Sequence, residues 1–96
     1  MYKLLLFLKK TDEKQVLEHF EEYTLKHLSE LAGREIIVGK VESSLLLDTN
    51  YSHFCEFEVE NKGKMDNVLN SKQGKELNKD LMNFHKFVDL IFVDYS

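Results

Sequence analysis

The side chains of this sequence best suited to proton transfer, nucleophilic attack or metal binding are four histidines and one cysteine. His27 is the first candidate. From Glu13 onward apolar residues recur at helical spacing, at Val16, Leu17, Phe20, Tyr23, Leu28 and Leu31. His27 falls on that stripe, so its imidazole is expected to point toward the core. An inward imidazole in an apolar cleft is a general base near neutral pH. Tyr23, one turn earlier, can share a hydrogen bond with it or polarise a carbonyl group. A core histidine bonded to a backbone carbonyl fits the same spacing, and spacing alone favours that plainer role.

His53 and Cys55 alternate on one face of an extended stretch, which invites a metal pair or a thiol–imidazole pair. A metal site needs at least a third ligand, and no HxxxH, CxxC or HExxH spacing occurs. Cys55 reads as a small buried hydrophobe, and no metal is expected. His85 follows Asn83-Phe84 and either lines a pocket mouth or sits exposed at a strand end. His19, beside Glu18 and off the stripe, reads as a surface residue. No glycine-rich phosphate loop, serine elbow or dinucleotide fingerprint is present, so no cofactor is expected.

The elements that must position these groups follow from periodicity. Tyr2 to Lys9 is predicted to be a strand apolar on both faces, with Leu4, Leu6 and Leu8 on one and Leu5 and Phe7 on the other. Thr11-Asp12 offers N-cap oxygens, with Gln15 placed as in a capping box, and Gly33 gives the first helix a left-handed stop. A second strand is expected from about Glu35 into Leu45-Leu46-Leu47, with Gly39 as a bulge point and Asp48-Thr49-Asn50 as a turn. Tyr51 to Val59 alternates, His53, Cys55, Phe57 and Val59 against Phe54, Glu56 and Glu58. Asn61 to Leu81 reads as two helical segments, the second capped by Ser71, and Phe87 to Tyr95 as a strand apolar on both faces. The order is strand, helix, strand, strand, helix, strand. Right-handed crossovers make this one α+β domain over residues 1–96, ferredoxin-like βαββαβ with an antiparallel sheet.

Composition narrows the function classes. A formal net charge of −4, with lysines scattered among glutamates, lacks the cationic footprint that nucleic acid requires. The apolar stretch of Leu4 to Leu8 is too short for a signal peptide and is closed by two lysines, and no run approaches the ~20 apolar residues of a membrane span. With a single cysteine and no intrachain disulfide, a cytoplasmic protein is expected.

In that topology helices cover one sheet face only, yet the first and last strands are apolar on both. Each such side chain is worth roughly 1.5–3 kcal/mol when buried, and the last strand is an apolar edge. A twin on the open face answers both, so a homodimer is expected.

Tyr23-xxx-His27 followed by Leu31-Ala32-Gly33, then Ser71-Lys72-Gln73-Gly74 and Asp80-Leu81-Met82-Asn83-Phe84, resembles the EthD family of dimeric α+β barrels. In that family an aromatic residue, a histidine and a Leu-x-Gly-like exit mark the first helix, and Ser-Pro-Glu-Gly and Asp-Leu-x-x-Phe mark the later segment. Lys72 and Gln73 stand in place of the usual Pro-Glu, and there is no tryptophan. The resemblance implies a homodimeric barrel with a pocket between sheet and helices in each subunit, taking a small apolar or aromatic ligand. It would carry His27 and Tyr23 as catalytic pair, with Phe20, Cys55, Phe57 and His85 contacting the ligand. The implied chemistry is cofactor-independent isomerisation, cyclisation or elimination beside a carbonyl. A non-catalytic accessory dimer of an oxidative degradation pathway is the alternative, and a small monooxygenase is a third, disfavoured by the missing tryptophan.

Overall fold

The computed structural model describes residues 1–42 and 49–95. Strand β1 (Tyr2–Lys9) lies between β3 (Tyr51–Val59) and β4 (Val88–Asp94), with the short β2 (Gly39–Lys40) beyond β3. All pairings are antiparallel, and the order β2-β3-β1-β4 is that of a βαββαβ unit. Every second residue of β1 is buried, and Leu4, Leu6 and Leu8 form the floor of the core with Cys55, Phe57 and Val88. Helical residues Val16, Phe20, Leu28, Met65, Leu77 and Leu81 close it from above.

The first helix runs as α1 (Lys14–His19), a π-turn over Phe20–Thr24, and α2 (Leu25–Ala32). Its N-cap is Glu13 rather than Asp12, without a side-chain cap; the Thr11 hydroxyl instead accepts from the Glu13 amide at 3.2 Å. Gly33 ends the helix at φ 70°, the left-handed conformation expected of it. The later helices are α3 (Lys62–Leu69) and α4 (Lys72–Asn83), separated by Ser71, whose hydroxyl accepts from the Gly74 amide at 3.1 Å. Gly74 is buried, and a Cβ there would stand 2.3 Å from the Leu69 carbonyl oxygen. Its lack of a side chain lets α4 start tight against the end of α3.

Two expectations for the strands are revised. Described β2 is only Gly39–Lys40, and the Leu45-Leu46-Leu47 run and Asp48 lie outside the described residues. The irregularity is not at Gly39, which pairs with Phe54, but across β1 and β3, where Leu8 faces His53 and Lys9 faces Tyr51. Ser52 is therefore the extra residue of a bulge, and it turns Tyr51 onto the opposite face from His53. There the Tyr51 ring stacks 4.8 Å from Phe7 and its hydroxyl donates to Asp89 at 2.5 Å, which pushes the phenol pKa up.

The second sheet face carries Leu5, Phe7, Phe54, Ile91 and Val93, with no helix over them among the described residues, flanked by the Lys3–Glu56 and Lys9–Asp89 ion pairs. Among the described residues no helix is long and apolar enough to cross a membrane.

Candidate functional site

The π-turn decides which side chains the first helix offers to the sheet. Each residue of an α-helix advances about 100° around the axis, and Val16, Phe20, Tyr23, His27 and Leu31 share a face at that pitch. The π-turn takes up one extra residue, so the face after Phe20 passes instead through Thr24 and Leu28, both buried. Tyr23 is rotated outward and is 54% exposed. His27 is half-buried in a shallow groove of about 220 Å³ between α2 and the start of α4, beside Glu30 and Glu76. The inward orientation expected of both residues from α-helical spacing is thus not the one adopted.

The larger cavities lie where the first helix rises off the sheet. One of about 470 Å³ is bounded by Leu17, Phe20, Glu21 and Leu25 above, and by Val38, Lys40 and His53 on the sheet side. A second of about 430 Å³ opens toward Lys10 and Thr11 and shares Leu17, Glu21 and His53 with the first. Together they form one cleft with His53 at its junction. Each half has the size of a small-molecule site; the first is walled mainly by apolar side chains, and the second mainly by charged and polar ones such as Lys9, Lys14, Glu18 and Glu21.

The bulge prepares His53 for that position. Ser52 Oγ donates to the Leu8 carbonyl at 3.3 Å and lies 2.9 Å from His53 Nδ1. The Ser52 hydroxyl thus ties the imidazole to the bulge through Nδ1 and leaves Nε2 without a bond to it.

Of the other expected ligand contacts, Phe20 lines the cleft. Phe57 is core, and Cys55 is buried with its thiol pushed up to about 12 by desolvation, so it offers no thiolate at neutral pH. His85 is exposed, and its Nδ1 donates to the Met82 carbonyl at 2.9 Å. Among the described residues no three of His, Cys, Asp and Glu are grouped to hold a metal ion.

A second polar constellation escaped the sequence. His19 Nε2 lies 2.6 Å from Asp80 Oδ1, and the buried Thr24 hydroxyl donates to Asp80 Oδ2 at 2.6 Å. The His19 ring lies between Tyr23 and Phe84, with centroid distances of 5.1 and 4.7 Å. Glu18 made His19 look like surface, and nothing in local spacing links it to a carboxylate sixty-one positions away.

A four-stranded antiparallel sheet of this order, with helices on one face and a cleft beneath the first of them, defines a ferredoxin-like α+β domain. The same fold occurs in an ethyl tert-butyl ether D (EthD) family protein from Bacillus halodurans C-125, at a TM-score of 0.78 and 20% identity over 100% of this chain and 99% of that one. A protein from Arabidopsis thaliana matches at a TM-score of 0.64 and 18% identity over 100% of this chain and 94% of that one. At these identities the likeness is one of fold, and it agrees with the EthD resemblance of the sequence. No protein-family model matches the chain, and no curated protein matches it in sequence.

Proposed function

We propose that this protein is an EthD-type homodimer that binds a small, mainly apolar carbonyl compound in the helix–sheet cleft and moves a proton on it. The observation that carries the reading is His53: an imidazole held 2.9 Å from the bulged Ser52, set where a cavity walled by Leu17, Phe20, Leu25 and Val38 meets a second one lined mainly by charged and polar residues. In this reading the base role expected of His27 passes to His53. Nε2 removes a proton from the carbon next to the ligand carbonyl, and returning it to the same or a neighbouring atom gives exchange or isomerisation without a cofactor. Lys40, paired with His53 across β2 and β3, places a cation beside the developing enolate oxygen. Glu21 on the helix side is placed to relay the proton. The homodimer is supported by the uncovered apolar sheet face, as such surfaces of monomers are rarely extensive.

The test is deuterium exchange into acetophenone in D₂O, followed by proton NMR, with the His53 ring signals recorded in parallel. Wild-type protein is expected to accelerate exchange and shift those signals. His53→Ala is expected to lose on the order of 10²–10⁴-fold of the acceleration while remaining folded. Exchange that persists in His53→Ala would overturn the base assignment. Ring signals that move with no exchange would turn the reading into a non-catalytic ligand-binding dimer.

A further inference from the structure

One carboxylate grips the π-turn at both ends. Asp80 of α4 meets His19, the residue just before the turn, through Oδ1 and Thr24, its last residue, through Oδ2, each at 2.6 Å. Residues five apart on an α-helix lie about 140° apart around the axis, too far to share one small carboxylate. The π-turn, in which the Leu25 amide donates to the Phe20 carbonyl five residues back, winds that separation down and brings the two side chains to a common partner. The bridge therefore depends on the turn. The apolar pattern permits either register: Val16, Phe20, Tyr23, His27 and Leu31 at α pitch, or Val16, Phe20, Thr24 and Leu28 with the turn in place.

We infer that Asp80 sets the register of the first helix: its bridge from His19 to Thr24 holds the π-turn, and so selects Thr24 and Leu28 over Tyr23 and His27 as the residues facing the sheet. Phe20 and Glu21, which roof the cleft, belong to the turn itself, and Leu25 follows it directly. Asp80 is thus a positioning residue for a cleft it does not line. This last step rests on the ligand-binding reading of the cleft; the register step does not.

The experiment compares the full chain with Asp80→Ala, which leaves the buried Thr24 hydroxyl without its acceptor, His19→Ala, which breaks the other arm of the bridge, and Thr24→Ser, which keeps the hydroxyl. Nuclear Overhauser contacts from the Tyr23 and His27 rings to the Leu4 and Leu6 methyls report register, and 8-anilinonaphthalene-1-sulfonate fluorescence reports the cleft. Asp80→Ala and His19→Ala are expected to gain ring-to-sheet contacts and to bind the dye at least tenfold more weakly. Thr24→Ser is expected to match wild type in both. His19→Ala with Tyr23 still at the surface and unchanged dye affinity would overturn the inference, and that variant decides it even if Asp80→Ala fails to fold. Should wild type bind no dye, the cleft reading falls, while the ring contacts still decide whether the bridge sets the register.

Discussion

Replacing Ile91 by lysine tests the dimer on the edge strand of the open sheet face. Ile91 pairs with Leu5 of β1, on the face that carries Phe7 and Phe54 and has no helix over it among the described residues. It is 46% exposed, so each copy has about half a side chain left to bury, worth about 1 kcal/mol, or about 2 kcal/mol over a two-fold interface. Taking an ammonium group into an apolar layer costs several kcal/mol more, and two-fold symmetry introduces the charge twice. Since each 1.4 kcal/mol is tenfold, the dissociation constant should rise by at least about 10³-fold. Leu90 is a poorer probe, because it pairs with the fully buried Leu6 and faces the helix side, where a charge would harm the fold as well. Light scattering from about 1 to 100 μM should give twice the 11.3 kDa chain mass for wild type and for Met82→Lys, a control exposed on α4. Ile91→Lys should elute at the single-chain mass with an unchanged circular dichroism spectrum. A wild-type monomer across that range, or an Ile91→Lys dimer as tight as wild type, would refute the reasoning.

Gly74→Ala should destabilise the fold although alanine ordinarily favours a helix. The new Cβ would meet the Leu69 and Val68 backbone at 2.3–2.5 Å, and overpacking of that kind costs about 1–3 kcal/mol. For a domain of this size that lowers Tm by about 4–8 °C per kcal/mol, and an equal or higher Tm would show that α3 and α4 do not meet this closely. Cys55 should resist Ellman's reagent at pH 8 until urea unfolds the chain, since burial holds its thiol at about 12; rapid native reaction would contradict that burial. Because the folded value is the raised one, the thiol's contribution to stability is complete below its unfolded pKa of about 8.5 and is lost as pH rises toward 12. Urea midpoints at pH 8 and 10.5 should therefore fall further for wild type than for Cys55→Ala.

Strand faces were legible in the sequence because a period of two leaves no freedom: Leu4, Leu6 and Leu8 could only be buried together, and Cys55 and Phe57 with them. The break at Ser71 was legible for a similar reason, as a hydroxyl before a helical pattern is a local signal with a local cause. The His53 site was only half legible. Its face was clear from alternation, but its orienting partner came from a one-residue bulge at Ser52, and polar residues mark bulges weakly. Unbroken alternation would set Tyr51 on the same face as His53, and the bulge separates them.

The first helix shows where periodicity fails on principle. A π-turn leaves no mark on composition, and its signature is a spacing of four where three or four would serve equally well. Val16, Phe20, Tyr23, His27 and Leu31 suit the α pitch, and the buried Thr24 is a polar residue that such a pattern rejects. Thr24 becomes tolerable in the core only because Asp80, fifty-six positions away, accepts its hydroxyl; without that bond a buried hydroxyl costs about 1–3 kcal/mol. The helix register is therefore a tertiary property. It is decided by a pair of hydrogen bonds from α4, and no reading of residues 14–32 alone could have preferred it.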